Sequence, residues 1–244
     1  MATFVLVHGA WHGGWCWDEV TPRLTAAGHT VVVPDLPGHG AGPDEPAPDE
    51  VTLDAYAGRV ADAVTACGEP VVLVGHSMGG VVITQAAERV PDSVAALVYV
   101  TAFLPGDGEA LLQLAEDDPG TLVLPNLMVA EDGASATLAP DAIGDAFYGD
   151  CEPAVAEAAA ARLVPQPLAP FATPVSTSSE RFGRVPRAYI ECTEDRAISI
   201  DRQRRMHGAV GVGEVRTMTS SHSPFLAHPD ELVAHLVALV PAGT

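Results

Sequence analysis

Apolar residues fall along this chain in short unbroken runs, each followed by turn residues. Thr3–His8, Thr30–Asp35, Val71–Gly75, Ala95–Thr101, Arg187–Cys192 and Glu214–Thr219 read as strands. Most are apolar without alternation, the pattern of strands buried on both faces of a parallel sheet. Helical spacing lies between them. In 53–66, Leu53, Tyr56, Val60 and Val64 step by three and four, with Thr52 as N-cap and Gly68 as stop. The final helix, 229–240, puts Leu232, Val233, Leu236, Val237 and Val240 on one face. Pro229 suits its first position, and Asp230 and Glu231 suit the positive end of its dipole.

Alternating strands and helices predict an α/β fold with a doubly wound, mostly parallel sheet. One region breaks the rhythm. Residues 105–180 hold no good strand, several Pro-rich pieces and one Ala-rich helix at 153–164. That is too long for a loop and too small for an independent domain. We therefore expect one domain over 1–244, with a core of 1–104 and 181–244 and a small, largely helical cap inserted at 105–180.

Composition narrows the function. The chain has 244 residues, with 12 Lys+Arg against 32 Asp+Glu, a net charge of −20. All the cations are arginine, so no lysine chemistry is available. An acidic surface repels nucleic acid and anionic membranes, and neither is expected as a partner. The four cysteines, Cys16, Cys67, Cys151 and Cys192, form no C-x-x-C pair and read as free thiols in a reducing compartment. The opening MATFVLVHGA lacks a cationic start, and no apolar run reaches the ~18 residues of a membrane span. A cytoplasmic location is expected.

The strand Val71–Gly75 runs into Gly-His-Ser-Met-Gly at 75–79 and then into a helical stretch. A sharp strand-to-helix turn needs flanks almost free of side chains, and it pushes Ser77 out at the sheet's end as a nucleophile. The Met78 N–H, at a helix N-terminus, is a candidate oxyanion donor, and the Ala10 N–H after the first strand is the second. His8 and His12 stand four apart but in a loop without helical geometry, and no third ligand is evident, so packing suits them better than a metal. In this arrangement the acid and then the base follow the serine along the chain, each after a later strand. Asp195, just past Arg187–Cys192, is the favoured acid over Glu194, Asp201 and the earlier Asp107. His222, between the last strand and the last helix, is the base, while His228 belongs to the start of that helix. His29, His39, His76, His207 and His235 are assigned ordinary packing or surface roles.

Together, FVLVHGAWHGGWCW, GHSMGG, RFGRVPRAYIECTEDRAI and SSHSPFLAHPDEL resemble the α/β-hydrolase superfamily, and within it the plant methylesterase and hydroxynitrile lyase group. The resemblance spans the core and is vaguer in the cap. It implies a Ser77–His222–Asp195 triad, oxyanion donors at Ala10 and Met78, and no cofactor or metal. It also implies two chemistries on one scaffold. Lyases of the group carry a threonine, or in another type an asparagine-bearing loop, where Gly9 stands, and the first type a lysine where Ser223 stands. Gly9 and the absence of lysine favour an esterase. Esterases of the group usually have a methionine-like residue where Ser223 departs from the pattern. The expected substrate is a small to mid-sized neutral ester, methyl or aromatic, in an apolar pocket drawn from Trp11, Phe103, Leu104, Phe147, Tyr148 and Leu163. Cyanohydrin cleavage, or ligand binding with little turnover, are the alternatives. A homodimer stays open.

Overall fold

The computed structural model describes residues 1–40 and 45–241. The expected core spans therefore include two stretches, 41–44 and 242–244, outside the described residues.

All six expected strands form, as β1 Thr3–Val7, β2 Thr30–Val32, β3 Val71–His76, β4 Val94–Val100, β8 Arg187–Cys192 and β9 Glu214–Met218. They make one sheet in the order β2-β1-β3-β4-β8-β9, parallel throughout. The unbroken apolar runs follow from burial on both faces. Along β1, Val5 and Val7 enter one hydrophobic cluster while Phe4 and Leu6 enter the other. β3 divides the same way, Leu73 to the first side and Val72 and Val74 to the second.

Helices cover both faces: α1 Val20–Ala26, α2 Leu53–Ala66, α3 Gly79–Arg89, α8 Ile200–Val210, α9 Pro224–Ala227 and α10 Pro229–Ala238. The Thr52 hydroxyl accepts the Ala55 N–H at 3.1 Å, the expected cap of α2. The chain reverses direction across the sheet between β1 and β3. In open α/β sheets this switch point, at the strands' carboxyl ends, is where ligands bind.

The segment between β4 and β8 holds α4 Leu111–Glu116, α5 Pro140–Phe147, α6 Pro153–Ala160 and α7 Ala169–Ala172. It also corrects the sequence reading, which found no strand in 105–180. β5 Leu127–Val129, β6 Ser135–Leu138 and β7 Gln166–Pro167 form a second, antiparallel sheet, so this segment, though largely helical, also carries three short strands. Strands of two to four residues carry too little periodicity to register in a sequence. Tertiary bonds hold the small sheet instead: Trp11 Nε1–H donates to the Ala136 carbonyl at 2.9 Å. The Trp11 N–H also donates to Gln166 Oε1 at 3.3 Å.

Candidate active site

Ser77 sits between β3 and α3 with φ +53°, a left-handed conformation that is strained for a residue with a side chain. The glycines around it are dictated by close approach. A Cβ on Gly75 would stand 2.6 Å from the Gly79 carbonyl oxygen, and one on Gly79 2.8 Å from those of Val7 and His8. α3 can therefore start tight against the end of β1 only with glycine at both places. The Ser77 carbonyl accepts the Gly80 and Phe103 N–H groups, each at 3.1 Å, and its own N–H donates to Val100 at 3.4 Å. The turn is thus pinned to the end of β4.

Asp195 lies in the loop after β8 and is 6% exposed; His222 lies after β9 and is 1% exposed. The carboxylate can only accept, so His222 Nδ1–H donates to Asp195 Oδ2 at 2.7 Å, leaving Nε2 as the basic nitrogen. Thr101 donates its hydroxyl to the same oxygen. Asp195 Oδ1 accepts the Ala197 and Ile198 N–H groups at 2.6 and 2.9 Å. Every face of this buried carboxylate is therefore matched by a donor. Its rivals lie elsewhere. Glu194 and Asp201 are exposed, and Asp107 is exposed and accepts the Thr177 N–H at 2.8 Å.

The loops after β8 and β9 are zipped together: Thr193 N–H donates to Met218 and Glu194 N–H to Ser220, both at 3.0 Å. His76, read from sequence as a packing residue, joins them to the serine turn. Its Nε2–H donates to the His222 carbonyl at 2.8 Å, and the two rings stand 4.6 Å apart. The one signal for it was adjacency to Ser77.

His8 and His12 use both ring nitrogens inside the fold. Leu36 N–H donates to His8 Nε2 at 3.1 Å, so His8 Nδ1–H donates to the Gly9 carbonyl at 2.9 Å. His12 Nδ1–H donates to the Ala10 carbonyl at 2.8 Å, and Tyr148 O–H donates to His12 Nε2 at 2.9 Å. Burial holds both rings neutral, pushing His8 well below its ordinary value and His12 down to about 3. Burial does the same to His76. These neutral rings brace the Gly9–Ala10 backbone. Among the described residues, neither the Ala10 nor the Met78 N–H meets a protein acceptor.

A small cavity opens on Ser77, Ala10 and Met78. Of the six residues expected along it, Trp11, Phe103 and Phe147 border it. Leu104, Tyr148 and Leu163 do not: Leu104 is core, Tyr148 is spent on His12, and Leu163 packs half-buried against the core. Sequence reasoning missed Leu111 and Ala115 of α4, Thr121, Val123 and Leu124 beyond it, Phe171, and Ala197 and Ile198 after Asp195. Thr121 is their one polar member, and its hydroxyl donates to the Ala197 carbonyl at 2.8 Å. Among the described residues, no charged side chain borders the cavity.

Known proteins place this geometry in context. The model of the alpha/beta hydrolase family matches residues 4–235. Methylesterase 2 of Arabidopsis thaliana is 33% identical, over 97% of this chain and 95% of its own length. Salicylic acid-binding protein 2 of Nicotiana tabacum is 34% identical, over 97% and 96%. The crystal structure of polyneuridine aldehyde esterase superposes with a TM-score of 0.88 at 28% identity, covering 99% of this chain and all of that one. A pyrethroid hydrolase from Sphingobium faniae superposes at 0.87 and 28%, covering 99% and 98%. With its strained serine turn, the joined loops after β8 and β9 and these relatives across nearly the whole length, the chain belongs to the alpha/beta hydrolase family, in its methylesterase group.

Proposed function

We propose that this protein is a carboxylesterase-type serine hydrolase of small to mid-sized neutral esters, methyl or aromatic. The observation that carries it is the buried His222–Asp195 pair, tied through His76 to a strained Ser77 at the wall of an apolar cavity. His222 Nε2 takes the Ser77 hydroxyl proton as Oγ attacks the ester carbonyl, and Asp195 stabilises the imidazolium. The Ala10 and Met78 N–H groups receive the oxyanion, each worth about 3 kcal/mol of barrier. His222 returns the proton to the departing alcohol. Water, activated by the same nitrogen, then releases the acid from Ser77. Residues 105–180 act as a cap over a single catalytic domain.

The uncharged cavity wall supports a neutral acyl group, and the names of the relatives, methylesterases among them, support the ester class. The four free cysteines fit the cytoplasm. Gly9 weighs against the lyase reading: a Cβ there would stand 2.7 Å from Ser77 Cβ, so the threonine of such lyases would displace the nucleophile.

A panel of p-nitrophenyl esters on wild type and Ser77→Ala tests the proposal. Turnover by wild type and its loss in the variant are expected. No turnover and no fluorophosphonate labelling of wild type would overturn it in favour of a binding role. Cyanohydrin cleavage without ester hydrolysis would favour the lyase.

A further inference from the structure

Four consecutive residues, Phe147 to Asp150, bring the segment between β4 and β8 onto the reacting groups. Phe147 borders the cavity, with its ring 5.7 Å from that of His222. Tyr148 reaches the Ala10 carbonyl through His12. A Cβ on Gly149 would lie 3.6 Å from Ser221 Cβ, in ordinary contact. Asp150 accepts the Ser221 N–H at 2.9 Å and also the Ser221 hydroxyl. Its Oδ2 stands 3.2 Å from His228 Nε2.

Ser221 immediately precedes His222. His222 is tethered at its ring by Asp195 and at its backbone carbonyl by His76, and both bonds act on His222 itself. The chain leading into His222 is fixed by Glu194 N–H on the Ser220 carbonyl and by Asp150 on both donors of Ser221. Burial pushes the Asp150 carboxyl up, but the Ser221 donors, with His228 beyond, outweigh it and hold the group below the usual carboxylate range. The acceptor is therefore charged at neutral pH, which strengthens both bonds.

We propose that Asp150 is a positioning residue for His222: it locks Ser221 so that the base stands in register with Ser77, and it couples that register to the seating of Phe147 and Tyr148. This rests on the esterase reading above. Small displacements of a reacting group cost heavily, about 100-fold for 1 Å. A carboxylate needed only to hold the segment down would instead affect stability and substrate binding.

The test uses the full chain and p-nitrophenyl ester kinetics on wild type, Asp150→Ala, Asp150→Asn, Ser221→Ala and the double variant Asp150→Ala/Ser221→Ala. We expect Asp150→Ala to lower kcat about 10- to 100-fold with KM within about twofold. Asp150→Asn should recover most of it, because the amide oxygen still accepts the Ser221 N–H. Ser221→Ala should show a smaller kcat loss, and the double variant should match Asp150→Ala rather than the product of the two losses. A folded Asp150→Ala with wild-type kcat, a loss confined to KM, or fully multiplicative losses would overturn the proposal. Should Asp150→Ala not fold, Ser221→Ala decides, and a wild-type kcat there overturns it. Absence of turnover in wild type would defeat the esterase reading instead.

Discussion

The Thr101 hydroxyl donates to Asp195 Oδ2, the oxygen that also takes the His222 Nδ1–H. Two strand ends thereby converge on one atom: Thr101 follows β4, and Asp195 follows β8. Asp195→Asn would keep the shape of this junction and present an amide N–H or a weaker acceptor to the imidazole, favouring the wrong tautomer. We expect kcat to fall by about 10⁴-fold, the magnitude seen when the serine-protease aspartate is so changed. Asp107→Asn should stay within about threefold of wild type, since Asp107 is exposed and caps Thr177 only. Steady-state kinetics on the two variants decide, and the reverse ranking would reassign the acid.

Thr101 itself has φ +36°, and a β-branched residue there is a genuine outlier. Its retention in that conformation makes sense if the hydroxyl is needed. Thr101→Val removes the donor at constant shape and should lower kcat/KM about tenfold, or 1.4 kcal/mol. Thr101→Ser should keep most of the activity. Equal activity in the two variants would show that the bond to Asp195 contributes nothing to the reaction.

What the sequence could and could not reveal divides by the range of the interaction. The six core strands and the α2 cap at Thr52 were legible because each is marked within a few residues, and Ser77, Asp195 and His222 stood out as candidates by their places after strands. The small sheet β5-β6-β7 was not, because its stability comes from partners far along the chain, Trp11 with Ala136 and Gln166. The cavity wall failed for the same reason. Tyr148 looks like a lining aromatic in sequence, and only the fold shows its hydroxyl spent on His12. Leu111 and Ala115 reach the cavity from a helix of six residues, too short to print a period. His76 was passed over because its role depends on a carbonyl 146 residues away.

Gly9 is the site at which the two chemistries of the group collide. A Cβ there would approach Ser77 Cβ to 2.7 Å and His76 Nδ1 to 2.9 Å. Gly9→Thr should therefore lower ester hydrolysis by at least about 100-fold, since shifting Ser77 misaligns it with the proposed oxyanion donors. It should not yield a lyase, for the chain has no lysine. Assays with a p-nitrophenyl ester and a cyanohydrin, run side by side, check both halves of this expectation.

The neutral histidines make the fold sensitive to acid. Burial holds His8 and His76 well below their ordinary value, His12 at about 3, and His39 lowered. Unfolded, each titrates near 6.5. Above that pH both states carry them neutral and stability is full. Below it the unfolded chain binds protons that the native state refuses, so stability falls as pH drops from about 6.5 toward each folded value. Each such histidine contributes a slope of up to about 1.4 kcal/mol per pH unit. Urea midpoints should decline steeply from pH 7 to pH 5, and His12→Gln should flatten the decline. A midpoint constant over that range would contradict the neutral, buried rings.

Cavity shape should govern which esters are accepted. Ala115, on α4, borders the cavity, and Leu163 does not. Ala115→Phe adds a ring to the wall and removes room from the acyl side without touching Ser77, Asp195 or His222. Esters with bulky acyl groups should lose about tenfold or more in kcat/KM, on the order of the 1–3 kcal/mol by which pockets sort hydrophobic groups. Acetate esters and a small fluorophosphonate should react with Ser77 at nearly the wild-type rate. Leu163→Ala should leave that ranking of esters unchanged, because Leu163 does not border the cavity. A ranking that moves with Leu163 and not with Ala115 would mean that substrate lies elsewhere, and the assignment of this cavity to the acyl group would fail.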